Sequence, residues 1–137
     1  MPSYVVKAAI ADPRAKSFVF ARMRTMYGGK AIAVGEAVFV FASETQGGEG
    51  LIARGIVTAV SPTPKKRGVA RQTPRVSIAV KRLARARRPF GREQLKAWRG
   101  VSDGSPQAEL DFKFYRQATN KIGGISEEAG RFLRGYF

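Results

Sequence analysis

The hexapeptide AVFVFA, residues 37–42, restricts the fold more than any other feature of the chain. It is a continuous apolar run that follows the turn-forming Gly35 and precedes the polar, Gly-rich ETQGGEG at 44–50. That pattern belongs to a strand buried on both faces or set in the wall of a small barrel. Shorter signals of the same kind surround it. SYVVKAAI opens the chain with the strand formers Tyr4, Val5 and Val6 and stops at Pro13. LIARGIVTAV at 51–60 is a second strand pairing with the first run across the Gly-rich loop, and Gly55 inside it marks a bulge or barrel bend. RVSIAVKRL sets Val76, Ile78 and Val80 against Ser77, Ala79 and Lys81, a period of two.

The remaining segments read less uniformly. Residues 15–26, with Phe18, Phe20, Met23 and Met26 as apolar members, are expected to be amphipathic and helical or irregular. Residues 61–75 combine three prolines with five cations and are expected to form a mobile loop. GREQLKAW reads as a short helix on which Trp98 packs with Leu95, and SDGSPQ at 102–107 as a turn. DFKFYRQ is expected to be a strand with Phe112 and Phe114 on one face, and Asp111 and Lys113 as an exposed ion pair. The last helix begins at Ser126 as N-cap, carries Glu127 and Glu128 in its first turn, and docks through Ala129, Phe132, Leu133 and Tyr136. About five strands with few short helices in 137 residues make one domain, 1–137, an α+β fold built on a small mixed β-barrel of five or six strands with a C-terminal helix.

Charge then bounds the function. There are 25 Lys and Arg against 10 Asp and Glu, a formal charge of +15, which points to a polyanionic partner. Between Lys65 and Arg99 stand 13 cations and one carboxylate, Glu93, so the excess forms a face. Lys65, Lys66, Arg67, Arg85, Arg87 and Arg88 are the expected phosphate ligands there. Such contacts carry affinity without sequence preference, so selectivity requires a pocket. Cysteine and histidine are both absent, which removes disulfides, Cys or His zinc sites and nucleophile–histidine pairs. No cofactor and no metal are expected. No stretch reaches the roughly 20 apolar residues that span a bilayer, so neither a membrane partner nor a membrane location is expected, and the chain is read as a cytoplasmic monomer.

In order and register, the segments SYVVKAA, AIAVGEAVFVFAS, GLIARGIVTAVSPTP, RVSIAVKRLARARRPFGREQLK and RQATNKIGGISEEAGRFL resemble the EVE domain, a PUA-like type related to YTH and ASCH domains. Two departures stand out: the family's Trp-Asp-Gly has no counterpart in KSFVFARMR, and its Tyr-His-Ser is Phe41, Ala42, Ser43. The resemblance implies a barrel with a cleft that accepts one extruded base, often a modified one, from DNA or RNA. It places Phe41 and Ser43 at pocket positions, as ring wall and hydroxyl, and offers Phe18 and Phe20 for stacking with Arg22 and Arg24 on phosphate. Arg116, Gln117, Thr119, Asn120 and Lys121 would read a base edge and touch a phosphate at the cleft mouth; or else Thr119 and Asn120 form a bend, and Gly123 and Gly124 allow close approach to the terminal helix. A generic basic RNA-binding protein is an alternative. So is an ASCH-like metal-independent amidohydrolase of acylated nucleosides, with Lys7 or Lys121, Thr25 or Thr119, and Glu36 as its Lys, Thr and Glu. Asp111 and Lys113, with Asp103 as a second ligand, would form the weakest option, a metal-dependent nuclease.

Overall fold

The computed structural model describes residues 2–64, 66–68, 72–115 and 120–137. The AVFVFA run forms β3 (Ala37–Ala42), in parallel pairing with β1 (Ser3–Ala8) from Ser3 opposite Ala37 to Ala8 opposite Ala42. β2 (Ser17–Met26), β4 (Gly50–Pro62), β5 (Arg75–Arg85) and β6 (Lys121–Ile125) complete a closed barrel in the order β1-β3-β4-β5-β2-β6. This is the small mixed α+β barrel expected from the sequence, with six strands.

Strand alternation sorts the apolar side chains into two cores. Tyr4, Val6 and Ala8 of β1 meet Val38, Val40, Val76, Ile78 and Val80 inside the barrel. Val5, Phe39 and Phe41 point outward, under α1 (Arg92–Leu95), α2 (Pro106–Leu110) and α3 (Glu127–Arg134), where Leu95, Leu110 and Leu133 are fully buried. An eight-residue helix is too short to persist alone in water, so α3 exists because Ala129 and Leu133 are buried there. Its start is as the sequence indicated: the Ser126 hydroxyl accepts from the Ala129 amide at 3.1 Å. Trp98 lies against the same outer core. No helix among the described residues is long and apolar enough to cross a membrane.

Two expectations about secondary structure are overturned. Residues 17–26 are a strand, with Phe18 and Phe20 inside the barrel, and its pairing with β5 slips between Phe20 and Met23. The extra residue changes the phase of alternation, so the buried set becomes 18, 20, 23 and 25, a mixture of spacings that imitates a helix. Arg22, inside the slip, takes the left-handed conformation with φ of 51°. In the opposite sense, Asp111–Tyr115 is a π-helical turn continuing α2, and no strand. Ser105 caps α2 and Pro106 occupies its first turn, so helix nucleation precedes the alternating residues and carries them with it. Asp111 is buried, Phe112 is exposed, and Lys113 pairs with Glu109 at 3.1 Å, so the expected exposed Asp111–Lys113 pair does not form.

Gly124 does allow a close approach, but the partner is different. A Cβ there would stand 2.5 Å from the Tyr27 carbonyl oxygen, in the turn after β2, rather than against α3.

Candidate functional site

β1 and β3 end side by side at Ala8 and Ala42, and three connecting segments gather at that end of the barrel. They enclose a cleft of about 630 Å³. Ile10 and Pro13 line it from the β1–β2 connection, and Ala42, Leu51 and Ile52 from β3 and β4. Arg14, Arg85, Arg87 and Arg88 supply its charge, while Gln46 and Glu49 supply an amide and a carboxylate.

Backbone contacts fix each wall. Arg82 donates from Nη1 to the Arg14 carbonyl at 2.8 Å, drawing the β1–β2 connection onto β5. The Ser43 carbonyl accepts from Gln46 and Gly48 amides at 3.1 and 2.8 Å, which curls residues 43–48 back against the end of β3. Gly48 permits this, since a Cβ would lie 2.6 Å from the Ala42 carbonyl oxygen. The chain terminus forms the third clamp: the Arg87 amide donates to the Tyr136 carbonyl at 2.7 Å, and Arg88 donates from Nη2 to the Gly135 carbonyl at 2.8 Å. The Arg88 guanidinium also stands 4.4 Å from the centre of the Tyr136 ring, within reach of cation–π attraction.

The expected residues divide into three groups. Arg85, Arg87 and Arg88 come together at the cleft. Arg24 and Lys66 line a separate groove of about 390 Å³ with Arg75, while Arg22 and Arg67 are exposed. Arg116, Gln117, Thr119 and Lys65 lie outside the described residues.

The expected aromatic walls are core residues. Phe18 and Phe20 stack with centroids 6.0 Å apart inside the barrel, and Phe41 packs edge-on to Phe90 in the outer core. Alternation dictates this: a strand residue that faces either core is spent on packing. Ser43 is buried and its hydroxyl lies 3.0 Å from that of Thr45, so it initiates the 43–48 turn and does not line the cleft. Asn120 has φ of 61°, and its backbone bridges the Lys7 carbonyl and the Arg24 amide. Lys121 is buried, so it cannot serve as a surface phosphate ligand. Its ammonium donates to the Lys113 carbonyl at 3.3 Å. Burial first, and the neighbouring Lys7 charge second, pull its pKa down to about 7. Lys7 is lowered as well, by burial and then by Arg92, with Glu44 acting against them.

Glu36 adjoins the Ser3–Ala37 end of β1, four residues from Lys7, or about 13 Å along the strand. The Thr25 hydroxyl donates to the Pro74 carbonyl at 2.8 Å. Lys7 and Lys121 therefore meet, but Glu36 does not join them. Asp103 is exposed and accepts from the Ser105 amide at 2.9 Å. No group of three or more Asp or Glu gathers among the described residues.

Sequence reasoning missed Arg14, Gln46 and Glu49. Each is an isolated polar residue in a connection, and no local pattern signals that three connections converge.

No family model and no curated protein matches the sequence. Solved structures do match its fold. The human THYN1 protein in complex with 5-methylcytosine containing DNA aligns over 98% of this chain and 96% of that one, with a TM-score of 0.66 and 15% identity. The DUF55 domain of human thymocyte nuclear protein 1 aligns over 97% and 96%, with a TM-score of 0.66 and 16% identity. A Pseudomonas putida protein aligns over 98% of both chains, with a TM-score of 0.64 and 15% identity. The chain has the DUF55, or EVE, fold of the PUA-like class.

Proposed function

We propose that this chain binds nucleic acid and takes one extruded base, modified or plain, into the cleft at the end of β1 and β3. The observation that carries the reading is the cleft itself. At about 630 Å³ it lies within the roughly 300–1,000 Å³ of small-ligand sites, and four arginines surround it against the single carboxylate of Glu49. The likeness to a fold held with 5-methylcytosine DNA in the human THYN1 structure supports the same class of ligand.

The chemistry follows from the lining. Apolar Ile10, Pro13 and Leu51 offer contact to a base face, and a fixed guanidinium plane is a second stacking surface. Gln46 can donate and accept together at a base edge. Glu49 only accepts, which favours a base with an exocyclic amino group, as on cytosine. Arg85 and Arg87 neutralise the flanking phosphates.

Fluorescence anisotropy tests this with oligonucleotides that place cytosine, 5-methylcytosine, adenine or thymine in an unpaired position. A preference of about tenfold for an amino-bearing base is expected, equivalent to about 1.4 kcal/mol. Glu49→Gln should erase the preference, while Arg85→Gln weakens all oligonucleotides alike. Equal affinity for every base would leave only a basic polyanion binder.

A further inference from the structure

The outer layer of helices covers β6, β1, β3 and the start of β4, where its apolar partners Ile125, Val5, Phe39, Phe41 and Leu51 lie. Among the described residues, the outer faces of β5 and β2 receive no such cover. β4, β5 and β2 are consecutive in the barrel wall, and none contains a carboxylate: there is no Asp or Glu between Glu49 and Glu93, nor between Asp12 and Glu36. Arg24 of β2 stands directly opposite Arg75 of β5. Like charges facing each other across a pair of strands are destabilising, and among the described residues neither they nor Lys66 and Lys81 have an ion-pair partner. A surface arranged so gains from an anion supplied from outside.

Its shape is also defined. At one end, the groove of about 390 Å³ is bounded by Arg24, Lys66, Thr73 and Arg75. The Gln72 side chain holds it together: its Oε1 accepts from the Lys66 amide at 2.9 Å and its Nε2 donates to the Lys66 carbonyl at 2.8 Å. Arg75 Nη1 donates to the Arg22 carbonyl at 3.0 Å, tying the slip in β2 to the same end. Because Val76, Ile78 and Val80 point into the barrel, Arg75, Ser77, Ala79 and Lys81 point out. Ser77 and Ala79 pair with Ser61 and Ala59 of β4, so the floor between the cationic ends carries small side chains that let a chain lie close. β5 then runs on to Arg85 at the cleft. Ten residue steps from Arg75 to Arg85 span roughly 33 Å, or about ten nucleotides of one strand at ~3.4 Å each.

We propose that the carboxylate-free outer face of β4, β5 and β2 is a second nucleic-acid site, a phosphodiester track about ten nucleotides long from the Arg24–Lys66–Arg75 groove to the Arg85 rim of the cleft. The track rests on the reading that the ligand is nucleic acid, but it requires no base pocket. It gives one continuous strand two anchor points.

Titration of hexamer and 14-mer oligonucleotides, duplex and single-stranded, at 50–300 mM salt tests it, with wild type and Arg24→Gln/Lys66→Gln; Arg75 is kept for its bond to the Arg22 carbonyl. The wild type should take up two hexamers but one 14-mer, with a steeper salt slope for the longer strand. The double variant should take up one hexamer and lose about 1.8 from its 14-mer slope on duplex or about 1.4 on single strand, two phosphate contacts at ~0.9 or ~0.7 each. An unchanged hexamer stoichiometry in the variant, or equal slopes for both lengths in the wild type, overturns the track. Loss of base preference with these length effects intact would overturn the pocket alone, and the reverse result the track alone. Whichever form shows the length effect, duplex or single strand, is the occupant.

Discussion

Lys7 and Lys121 face each other as a register pair across β1 and β6, both almost wholly buried. Two ammonium groups so placed cannot both be comfortably charged, and the pKa of Lys121 falls to about 7, through burial and then through Lys7.

The pH dependence has a definite sign. A lysine whose folded pKa lies below its unfolded value of about 10.4 binds fewer protons when folded, so its contribution to stability rises as pH climbs from about 7 towards 10. Lys121→Met removes the titration. Denaturant unfolding from pH 6 to 9.5 should show the variant most favoured at pH 6, with the difference shrinking as pH rises by up to about 1.4 kcal/mol per unit. A difference independent of pH would mean that folding leaves the pKa of Lys121 unlowered, so that it binds the same protons in both states.

The junction of α2 with α3 is held by Glu109. Its carboxylate accepts from the Ser126 amide at 2.8 Å, the Ser126 hydroxyl and the Lys113 ammonium. Burial alone would raise its pKa, but the Ser126 hydrogen bonds and the Lys113 charge outweigh it and the net shift is downward. The stabilisation is therefore present above the unfolded carboxylate range and lost as pH falls through the lower folded value. Ser126→Ala should cost about 1–2 kcal/mol through the lost cap and the weakened carboxylate contact. Glu109→Gln should destabilise at pH 7 and approach the wild type below about pH 4; thermal unfolding at both pH values checks this.

Phe20 separates packing from binding. Placed inside the barrel, Phe20→Leu should lower stability by roughly 1–2 kcal/mol, well under the ~3–5 of a Phe→Ala change. Nucleic-acid affinity measured far below the unfolding midpoint should stay within about twofold. A tenfold loss of affinity in a folded variant would restore Phe20 to the binding surface.

Much of the fold was legible because its signals are local. The runs that became β1, β3, β4 and β5 carry their own period and turn residues, and Ser126 caps its helix from one position away. β2 was misread because one extra residue near Arg22 changes the phase that periodicity detects. DFKFY was misread because its alternation is local, whereas its helical state is inherited from Ser105 and Pro106 upstream. Among the candidate residues, Arg85, Arg87 and Arg88 line the cleft whereas Phe18, Phe20 and Phe41 are buried. A cation in a strand or loop tends to stay at the surface, but an aromatic goes wherever its strand faces.

The sequence by itself determined a barrel-forming set of strands, a capped terminal helix and a cationic segment with a single carboxylate, since composition and short-range spacing are enough for these. Only the tertiary structure decided that Arg14, Gln46, Glu49 and Arg85 surround one cleft, that Arg24 faces Arg75, and that Lys7 and Lys121 share a buried site. Those meetings depend on strand order and register around a closed barrel, where a one-residue slip exchanges inside for outside. No local pattern in the chain records where such a slip falls.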